Sequence, residues 1–236
     1  MAERKIKRPT GRRNGWAPTD PRLVQVAENV ETVLNAGQKL FLANGYAGTS
    51  MEAIAAEAGV GKMTVYRHFK DKETLFVAIV RRECDRITDS GKSLPASTLE
   101  EAERELREFA RSLLKFIAAS ENVALLRMMY GETSRFAEMG RRFYWSGPAK
   151  GLETVERILS KLVPKDELWL RAQTFLHAIQ GDTFQQLLLG ALAPEARHRL
   201  FARQIDFATR MVLSGLEPQA ATNPVKAATA RVAKAR

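Results

Sequence analysis

Cysteine and histidine are scarce in this chain, whose 236 residues include one cysteine, Cys84, and three histidines. A single cysteine cannot form an intrachain disulfide, which excludes the class of small secreted domains stapled by disulfides. The histidines are widely separated from one another and from Cys84, so their spacing matches no metal site. We therefore expect neither a metal nor any other cofactor.

Long apolar runs and export signals are also missing. The longest nearly apolar stretch, Phe184 to Ala193, contains two glutamines and is far shorter than the roughly 20 residues of a membrane-spanning helix. The N-terminus is basic, but no apolar run follows it as in a secretory signal. Together with the single cysteine, these features predict a cytoplasmic protein.

Recognisable catalytic patterns are absent too. The sequence shows no nucleophile–base pair, no two poised carboxylates and no glycine-rich cofactor loop, so an enzyme is only a remote alternative. A hydrophobic content of 45% and a charged content of 27% are typical of a globular protein. The question is therefore what a globular, non-catalytic chain of this size binds.

The formal charge of +10 is concentrated at the two ends of the chain. Residues 1–22 carry a net +5 and residues 217–236 a net +3, whereas residues 23–75 carry −1. A basic arm without apolar periodicity favours a polyanion partner, most commonly nucleic acid. The alternative is a solvated tail that only aids solubility.

Apolar residues recur at helical spacing through most of the chain, and no β-alternation lasts long enough to predict a strand. The pattern predicts an all-α fold. We expect a first helix from Pro21 to Asn44, a short helix opened by a capping box at Thr49–Glu52, and a third after Gly61. Further helices are predicted at 72–89, 98–119, 121–133, 135–144, 149–162, 165–191 and 194–214.

Two short helices joined by Gly59-Val60-Gly61 predict a helix-turn-helix, whose second helix enters the major groove of DNA. Ala55 and Ala58 are small enough for the two helices to approach closely, and Gly59 permits a left-handed turn. With Val65 and Phe69 directed inward, the remaining positions form an outward, largely cationic face: Lys62, Met63, Tyr66, Arg67 and Lys70.

A longer pattern surrounds this motif. It consists of Val33-Leu34-Asn35-Ala36, Leu40-Phe41, Asn44-Gly45-Tyr46, Thr49-Ser50, Ile54-Ala55, Ala58-Gly59-Val60, Thr64-Val65-Tyr66, His68-Phe69, Lys72-Glu73 and Leu75-Phe76. Over roughly residues 30–80, and without a gap, the chain resembles the DNA-binding domain of the TetR family of transcriptional regulators.

The resemblance implies an all-α homodimer with an N-terminal helix-turn-helix domain that binds a palindromic DNA operator. It also implies a larger helical C-terminal domain for dimerisation and ligand binding. We expect a flexible basic arm at 1–20, the DNA-binding domain at 21–72, the ligand-binding and dimerisation domain at 73–216, and a disordered basic tail at 217–236. The resemblance assigns base edges to Lys62, Met63 and Thr64, and phosphates to Thr49, Tyr66, His68 and Lys72; Arg67 joins them on the DNA-binding face.

At three positions the residue differs from the one that is usual in the TetR pattern. Gly61 stands where Ser or Thr is usual, so the third helix lacks a side-chain cap. Met63 replaces a small residue and can contact a thymine methyl group. Gly37 stands where alanine is frequent, and this glycine should weaken the first helix by about 1 kcal/mol.

The C-terminal part is similar to the AefR-like C-terminal domain of some TetR-type repressors. The similarity is carried by Leu125-Leu126-Arg127, Glu132, Arg135-Phe136, Glu138, Phe143-Tyr144 and Gly147-Pro148, although Ala137 stands where proline is usual. We expect a pocket for a small, largely apolar effector ligand between the helices at 98–119, 121–133, 149–162 and 165–191. Its predicted lining is Phe109, Phe116, Met129, Phe143, Trp169, His177, Gln180 and Phe184.

Two residues in this part allow alternative interpretations. His177 lies among Phe175, Leu176 and Ile179, which fits either a satisfied core histidine or a polar group that orients a ligand. Cys84 lies on the helix that joins the two domains, where a structural thiol and a redox sensor are both conceivable.

The complete pattern predicts a repressor that binds its operator as a homodimer and is released by a small ligand. Apolar residues on more than one face of the last two helices predict a two-fold four-helix interface between the subunits. The alternatives are an activator or a DNA-binding protein without ligand control.

Overall fold

A computed structural model describes residues 21–88 and 95–216, and these residues form ten helices and no strand. The predicted basic arm and basic tail lie outside this range. The helices are α1 Pro21–Asn44, α2 Met51–Glu57, α3 Lys62–His68, α4 Lys72–Thr88, α5 Leu99–Ala118, α6 Ser120–Glu132, α7 Ala137–Ser146, α8 Pro148–Leu159, α9 Lys165–Leu189 and α10 Pro194–Leu213. The predicted all-α class is confirmed. No helix within the described ranges is long and apolar enough to cross a membrane.

The ends of the helices follow their local sequence signals. Gly45 after α1 and Gly190 after α9 have φ angles of +73° and +74°, the left-handed conformation in which glycine ends a helix without strain. Pro148 and Pro194 lie in the first turns of α8 and α10, where a missing N–H group costs nothing. These signals explain why the predicted bounds of the helices differ from the observed ones by only a few residues.

The N-terminal cap of α2 differs from the expected capping box. Ser50 is the capping residue, and its hydroxyl accepts a hydrogen bond of 3.1 Å from the backbone N–H of Ala53. The third residue of the helix is therefore Ala53, which has no carboxylate to complete a capping box. Glu52 lies one position earlier and makes a different contact, described below.

Helix α9 contains a break that its apolar periodicity does not predict. Gly181 has φ +48° and ψ −152°, which is non-helical. A side chain there would be strained at this positive φ, and its Cβ would lie 2.9 Å from Nε2 of Gln204 on α10. The predicted single helix at 165–191 is therefore kinked at its middle, where α10 packs closely.

The buried side chains form two hydrophobic cores. The first joins α1–α4 to α6 and α7 through Leu125, Leu126, Met129, Met139 and Phe143. The second lies among α5, α8, α9 and α10, with Phe175 and Ile179 of α9 fully buried in it. Because α6 and α7 share a core with the N-terminal helices, the helix-turn-helix is joined to the C-terminal part through α1 and α4.

Close packing of α4 on α1 explains the glycine at position 37. A Cβ added to Gly37 would lie 2.7 Å from Cδ2 of Leu75 and 3.0 Å from Cδ1 of Ile79, and both of these side chains are fully buried. Glycine at position 37 therefore lowers the helix propensity of α1, as expected, but it also allows α4 to pack closer to α1.

Arg82 of α4 fastens the same two helices by hydrogen bonds. Its guanidinium donates to Glu31 at 3.1 Å, Asn35 at 2.7 Å and Gln38 at 2.5 Å, all on α1, and pairs with Glu83 at 3.2 Å. The Arg82 side chain is only 11% exposed. A planar fork of five N–H donors suits this geometry, which a lysine could not reproduce.

We predict that Arg82→Met lowers the free energy of unfolding by about 3 kcal/mol, because it removes the cation beside the buried Glu83 and the hydrogen bond to the half-buried Gln38. Denaturant unfolding measures the change. The control is Arg81→Met: Arg81 is exposed and pairs with Asp85 across one turn, so a loss below about 0.5 kcal/mol is expected. Equal losses in the two variants would contradict the role given to Arg82.

Candidate DNA-binding surface and ligand cavity

The turn between α2 and α3 has the geometry of a helix-turn-helix. Gly59 has φ +64°, and the N–H of Val60 donates to the carbonyl of Ala55 at 3.1 Å. Val65 and Phe69 are buried and fix α3 against the bundle. Gly61 precedes α3 in an extended conformation and gives it no side-chain cap, as the sequence predicts. The first turn of α3 therefore keeps exposed N–H groups.

The outer face of α3 carries most of the residues predicted to contact DNA. Lys62, Met63, Tyr66 and Arg67 are exposed, whereas Thr64 is half-buried. Met63 is 80% exposed. An apolar side chain this open to water has nothing to pack against in the described part of the chain, which fits contact with a thymine methyl group.

Glu52 joins α2 to this face through two contacts that the sequence did not suggest. Its Oε1 atom lies 2.5 Å from Nζ of Lys62 and accepts a hydrogen bond of 3.4 Å from the hydroxyl of Tyr66. The Lys62 ammonium also lies 5.6 Å from the centre of the Tyr66 ring. The Lys62 hydrogen bond lowers the pKa of Glu52, and the same bond raises the pKa of Lys62. Both groups are therefore charged at neutral pH.

The structure corrects the role predicted for Thr49. Its side chain is 3% exposed, and its hydroxyl donates to the carbonyl of Gly45 at 2.8 Å. A buried hydroxyl bonded to the main chain cannot reach a phosphate. Thr49 instead fastens the loop between α1 and α2.

Lys72 also differs from the expected phosphate contact. Its ammonium donates to the carbonyls of Tyr46 at 2.6 Å and Thr49 at 2.9 Å, and it lies 4.4 Å from the centre of the Tyr46 ring. Partial burial lowers the pKa of Lys72. Two of its three N–H donors therefore hold the α1–α2 loop, and at most one is available to DNA.

His68 is half-buried at the end of α3, beside Phe69. Its Nε2 atom is buried and has no hydrogen-bond partner among the described residues. A phosphate contact would therefore have to use Nδ1.

A cavity of about 560 Å³ lies in the C-terminal part, between α5, α6, α7, α8 and α9. The structure brings to its wall all eight residues predicted from the sequence: Phe109, Phe116, Met129, Phe143, Trp169, His177, Gln180 and Phe184. Two elements extend the predicted lining. Helix α7 contributes Gly140 and Tyr144 as well as Phe143, and α4 contributes Cys84.

The described residues that line this cavity include no Lys, Arg, Asp or Glu. Polar groups occur on α9, where Gln173, His177 and Gln180 are spaced so that they face one side, and near the end of α6, at Tyr130 and Thr133. Such a wall can bind aromatic surface and hydrogen-bond neutral polar groups, but it offers no counter-ion for a charged ligand.

Comparison with known proteins places this geometry in a family. Residues 33–79 match the model of bacterial regulatory proteins of the tetR family, and residues 104–215 match the AefR-like transcriptional repressor C-terminal domain. The solved structure of the flavonoid-responsive regulator FrrA is 30% identical, with a TM-score of 0.61 over 82% of this chain and 100% of that one. This chain belongs to the TetR family.

Other relatives agree with this assignment. A TetR-family regulator from Mesorhizobium loti has the same fold, with a TM-score of 0.65 and 24% identity over 80% of this chain and 97% of that one. The transcriptional activator FasR of Mycolicibacterium smegmatis is 33% identical over 113 residues, or 47% of this chain and 48% of FasR. A Staphylococcus aureus regulator is 41% identical over 58 residues, which is 25% of this chain and 31% of that protein. The match thus spans about half of FasR and a third of the staphylococcal protein.

The family match at residues 33–79 includes the helix-turn-helix, whose second helix is α3. The exposed face of α3 is therefore the candidate DNA-binding surface.

Two residues in the C-terminal part can now be reinterpreted. His177 is exposed at the cavity, with Nδ1 2.9 Å from the carbonyl of Gln173, so the interpretation as a buried core histidine is wrong. Burial raises the pKa of the Cys84 thiol to about 12. Because the thiolate is the reactive form, this environment does not favour a redox sensor.

We predict that Lys62→Ala and Tyr66→Ala each weaken operator binding by about 1–3 kcal/mol per lost contact without lowering the melting temperature, because both side chains lie on the outer face. Fluorescence anisotropy with labelled operator measures the affinity. Lys39→Ala is the matched control, since Lys39 is an exposed lysine paired with Glu57 at the same 2.5 Å. Unchanged affinity in both test variants would contradict the assignment of α3.

Proposed function

We propose that this TetR-family chain is a cytoplasmic repressor that binds a palindromic operator as a homodimer and leaves it when a small, largely apolar ligand binds. One observation carries the proposal: α4 begins directly behind the DNA-binding helix α3 and reaches the wall of an apolar cavity at Cys84. A ligand in the cavity thus has a helix through which it can act on DNA binding.

Dimerisation is proposed through α9 and α10. On the side of these helices that faces the chain's own core, five apolar residues are buried: Phe175, Ile179, Leu187, Ile205 and Val212. The same helices leave Leu170, Leu189 and Phe207 exposed. Large apolar side chains on two neighbouring helices supply a surface that a second copy can cover in a two-fold four-helix arrangement.

Phe207→Glu is expected to shift the dimer towards monomer, because it places a charge on an apolar side chain that is 61% exposed on α10. Sedimentation at micromolar concentration measures the change. Trp145→Glu is the control, since Trp145 is an equally open aromatic on α7, outside the proposed interface. A wild-type monomer, or a Phe207→Glu protein that remains fully dimeric, would contradict this interface.

The proposed ligand is a neutral, largely aromatic molecule with a few hydrogen-bonding groups. The cavity combines aromatic walls with uncharged polar side chains, so an ionised carboxylate or amine would lose its hydration without gaining a counter-ion. The name of FrrA states that it responds to flavonoids, and molecules of that class have these properties. A flavonoid is therefore the first probe to test.

Ligand and DNA are proposed to act on each other through α4. A ligand that fits better when α4 is shifted would change the spacing of the two α3 helices in a dimer, and therefore their fit to successive major grooves. Linkage makes the effect reciprocal, so DNA must weaken ligand binding by the same factor as ligand weakens DNA binding.

Activation is the second candidate function. The FasR relative is named as a transcriptional activator, and both repression and activation begin with binding of the operator. A reporter gene placed behind the selected operator distinguishes them: repression lowers reporter output, and activation raises it.

The experiment that tests the proposal begins with selection of bound duplexes from a random DNA pool. An inverted repeat is expected, because a two-fold dimer presents two identical α3 helices. A selected site without two-fold symmetry would contradict dimeric operator binding.

Flavone, an uncharged flavonoid, is then titrated against the free protein and against the protein–operator complex. We predict a 5- to 150-fold loss of operator affinity, the range of typical allosteric coupling. The anionic flavone-8-carboxylate is expected to bind much more weakly, because the cavity offers it no cation. Equal flavone affinity for the free and the DNA-bound protein would rule out an inducer site.

A matched pair of histidine variants checks the site. His177→Ala is expected to weaken flavone binding about 3- to 10-fold, the loss of one hydrogen bond, with operator affinity unchanged. His198→Ala, on the exposed surface of α10, should leave both affinities unchanged.

A further inference from the structure

The contact between Glu52 and Lys62 lies on the surface that faces DNA. Glu52 is in the first turn of α2 and Lys62 is the first residue of α3, so the pair connects the two helices of the helix-turn-helix. Oε1 of Glu52 also accepts from the Tyr66 hydroxyl. A single carboxylate oxygen therefore contacts two of the side chains on the outer face of α3, Lys62 and Tyr66.

Folding stability accounts for only part of the reason for a carboxylate at this place, because a negative charge in the first turn of α2 is modestly favourable. More than half of each side chain is exposed, and exposed ion pairs contribute little to folding. Near DNA, a glutamate is surrounded by phosphates and is repelled by them. A negative charge at this surface weakens binding to DNA of any sequence, which makes a role in choosing between sequences the better explanation.

We propose that Glu52 is a positioning residue that keeps the Lys62 ammonium at the base-reading end of α3 and away from the phosphate backbone. An ammonium has three N–H donors. With one donor directed to Glu52, the other two remain for acceptors on a base edge, such as O6 and N7 of guanine. Reaching a phosphate instead requires Lys62 to leave Glu52.

The consequence is a higher ratio of specific to non-specific affinity. At the operator, Lys62 contacts a base while it keeps its bond to Glu52. On random DNA no suitable base is present, so Lys62 can add affinity only by breaking that bond and turning to a phosphate. The inference rests on helix-turn-helix DNA binding and is independent of ligand control and of repression.

The chain contains a matched control pair. Lys39 of α1 and Glu57 of α2 are also 2.5 Å apart, at the opposite end of α2 from Glu52. Glu57→Gln removes one negative charge from the same helix without touching Lys62 or Tyr66. It therefore reports the effect of losing one negative charge and one ion pair of α2 away from Lys62.

The experiment measures the affinity of Glu52→Gln for the selected operator and for a random duplex over a range of salt concentrations. Random-duplex binding is expected to tighten about 2- to 30-fold, the range for releasing one exposed ion pair in each of two subunits. Its salt slope should steepen by up to about 1.8, or about 0.9 for each freed lysine. Operator affinity should change less than twofold, so the specificity ratio falls, whereas Glu57→Gln leaves it unchanged.

A second background separates positioning of Lys62 from general repulsion. In a Lys62→Gln protein, adding Glu52→Gln should leave the specificity ratio unchanged, because the residue that Glu52 positions is gone. An unchanged ratio in Glu52→Gln alone, or a fall of the same size in the Lys62→Gln background, would overturn the proposal. Melting curves verify that the variants fold. A wild-type protein that binds no DNA would instead refute the DNA-binding assignment itself.

Discussion

The close packing of α4 on α1 is the contact on which the rest of this structure depends. Gly37 allows Leu75 and Ile79 to approach the axis of α1, and Arg82 then fastens the same pair of helices by hydrogen bonds to Glu31, Asn35 and Gln38. Helix α4 begins just after the DNA-binding helix and reaches the cavity wall at Cys84. Because this one helix borders both candidate sites, its attachment to α1 is part of the proposed route by which a ligand in the cavity would change DNA binding.

The two candidate sites have opposite electrostatic characters, and the difference fits the partners proposed for them. The cavity is lined by aromatic and uncharged polar groups, so it selects against ions by their desolvation cost. The outer face of α3 is charged and exposed, yet its first lysine is held by a carboxylate. Phosphate contacts give affinity for any DNA, and base contacts give specificity. A lysine that is held by a carboxylate therefore favours base contacts, and with them specificity, over phosphate contacts.

Apolar periodicity was sufficient to predict the helices and much of the cavity. Phe109, Phe116, Met129 and Phe184 lie on the inward faces of helices whose bounds the capping and glycine signals defined, and inward faces of neighbouring helices meet. The positions of Cys84 and Gly140 in the cavity wall were not predicted, because neither residue is part of the apolar periodicity from which the lining was predicted. The kink at Gly181 was not predicted either; the close approach of Gln204 that leaves no room for a side chain at this position comes from another helix.

The sequence by itself determined the all-α class, the helix-turn-helix and the set of apolar residues around the cavity, because these depend on local propensity and on periodicity along one helix. The family followed from the resemblance of the longer motif around the helix-turn-helix. Tertiary structure alone decided which partners the polar side chains find. It buried Thr49, directed Lys72 to the carbonyls of the α1–α2 loop, and brought Glu52 to Lys62 rather than to the cap of its own helix. Each of these contacts joins groups from different elements, and the energy of such a pair depends on a distance that no spacing along the chain encodes.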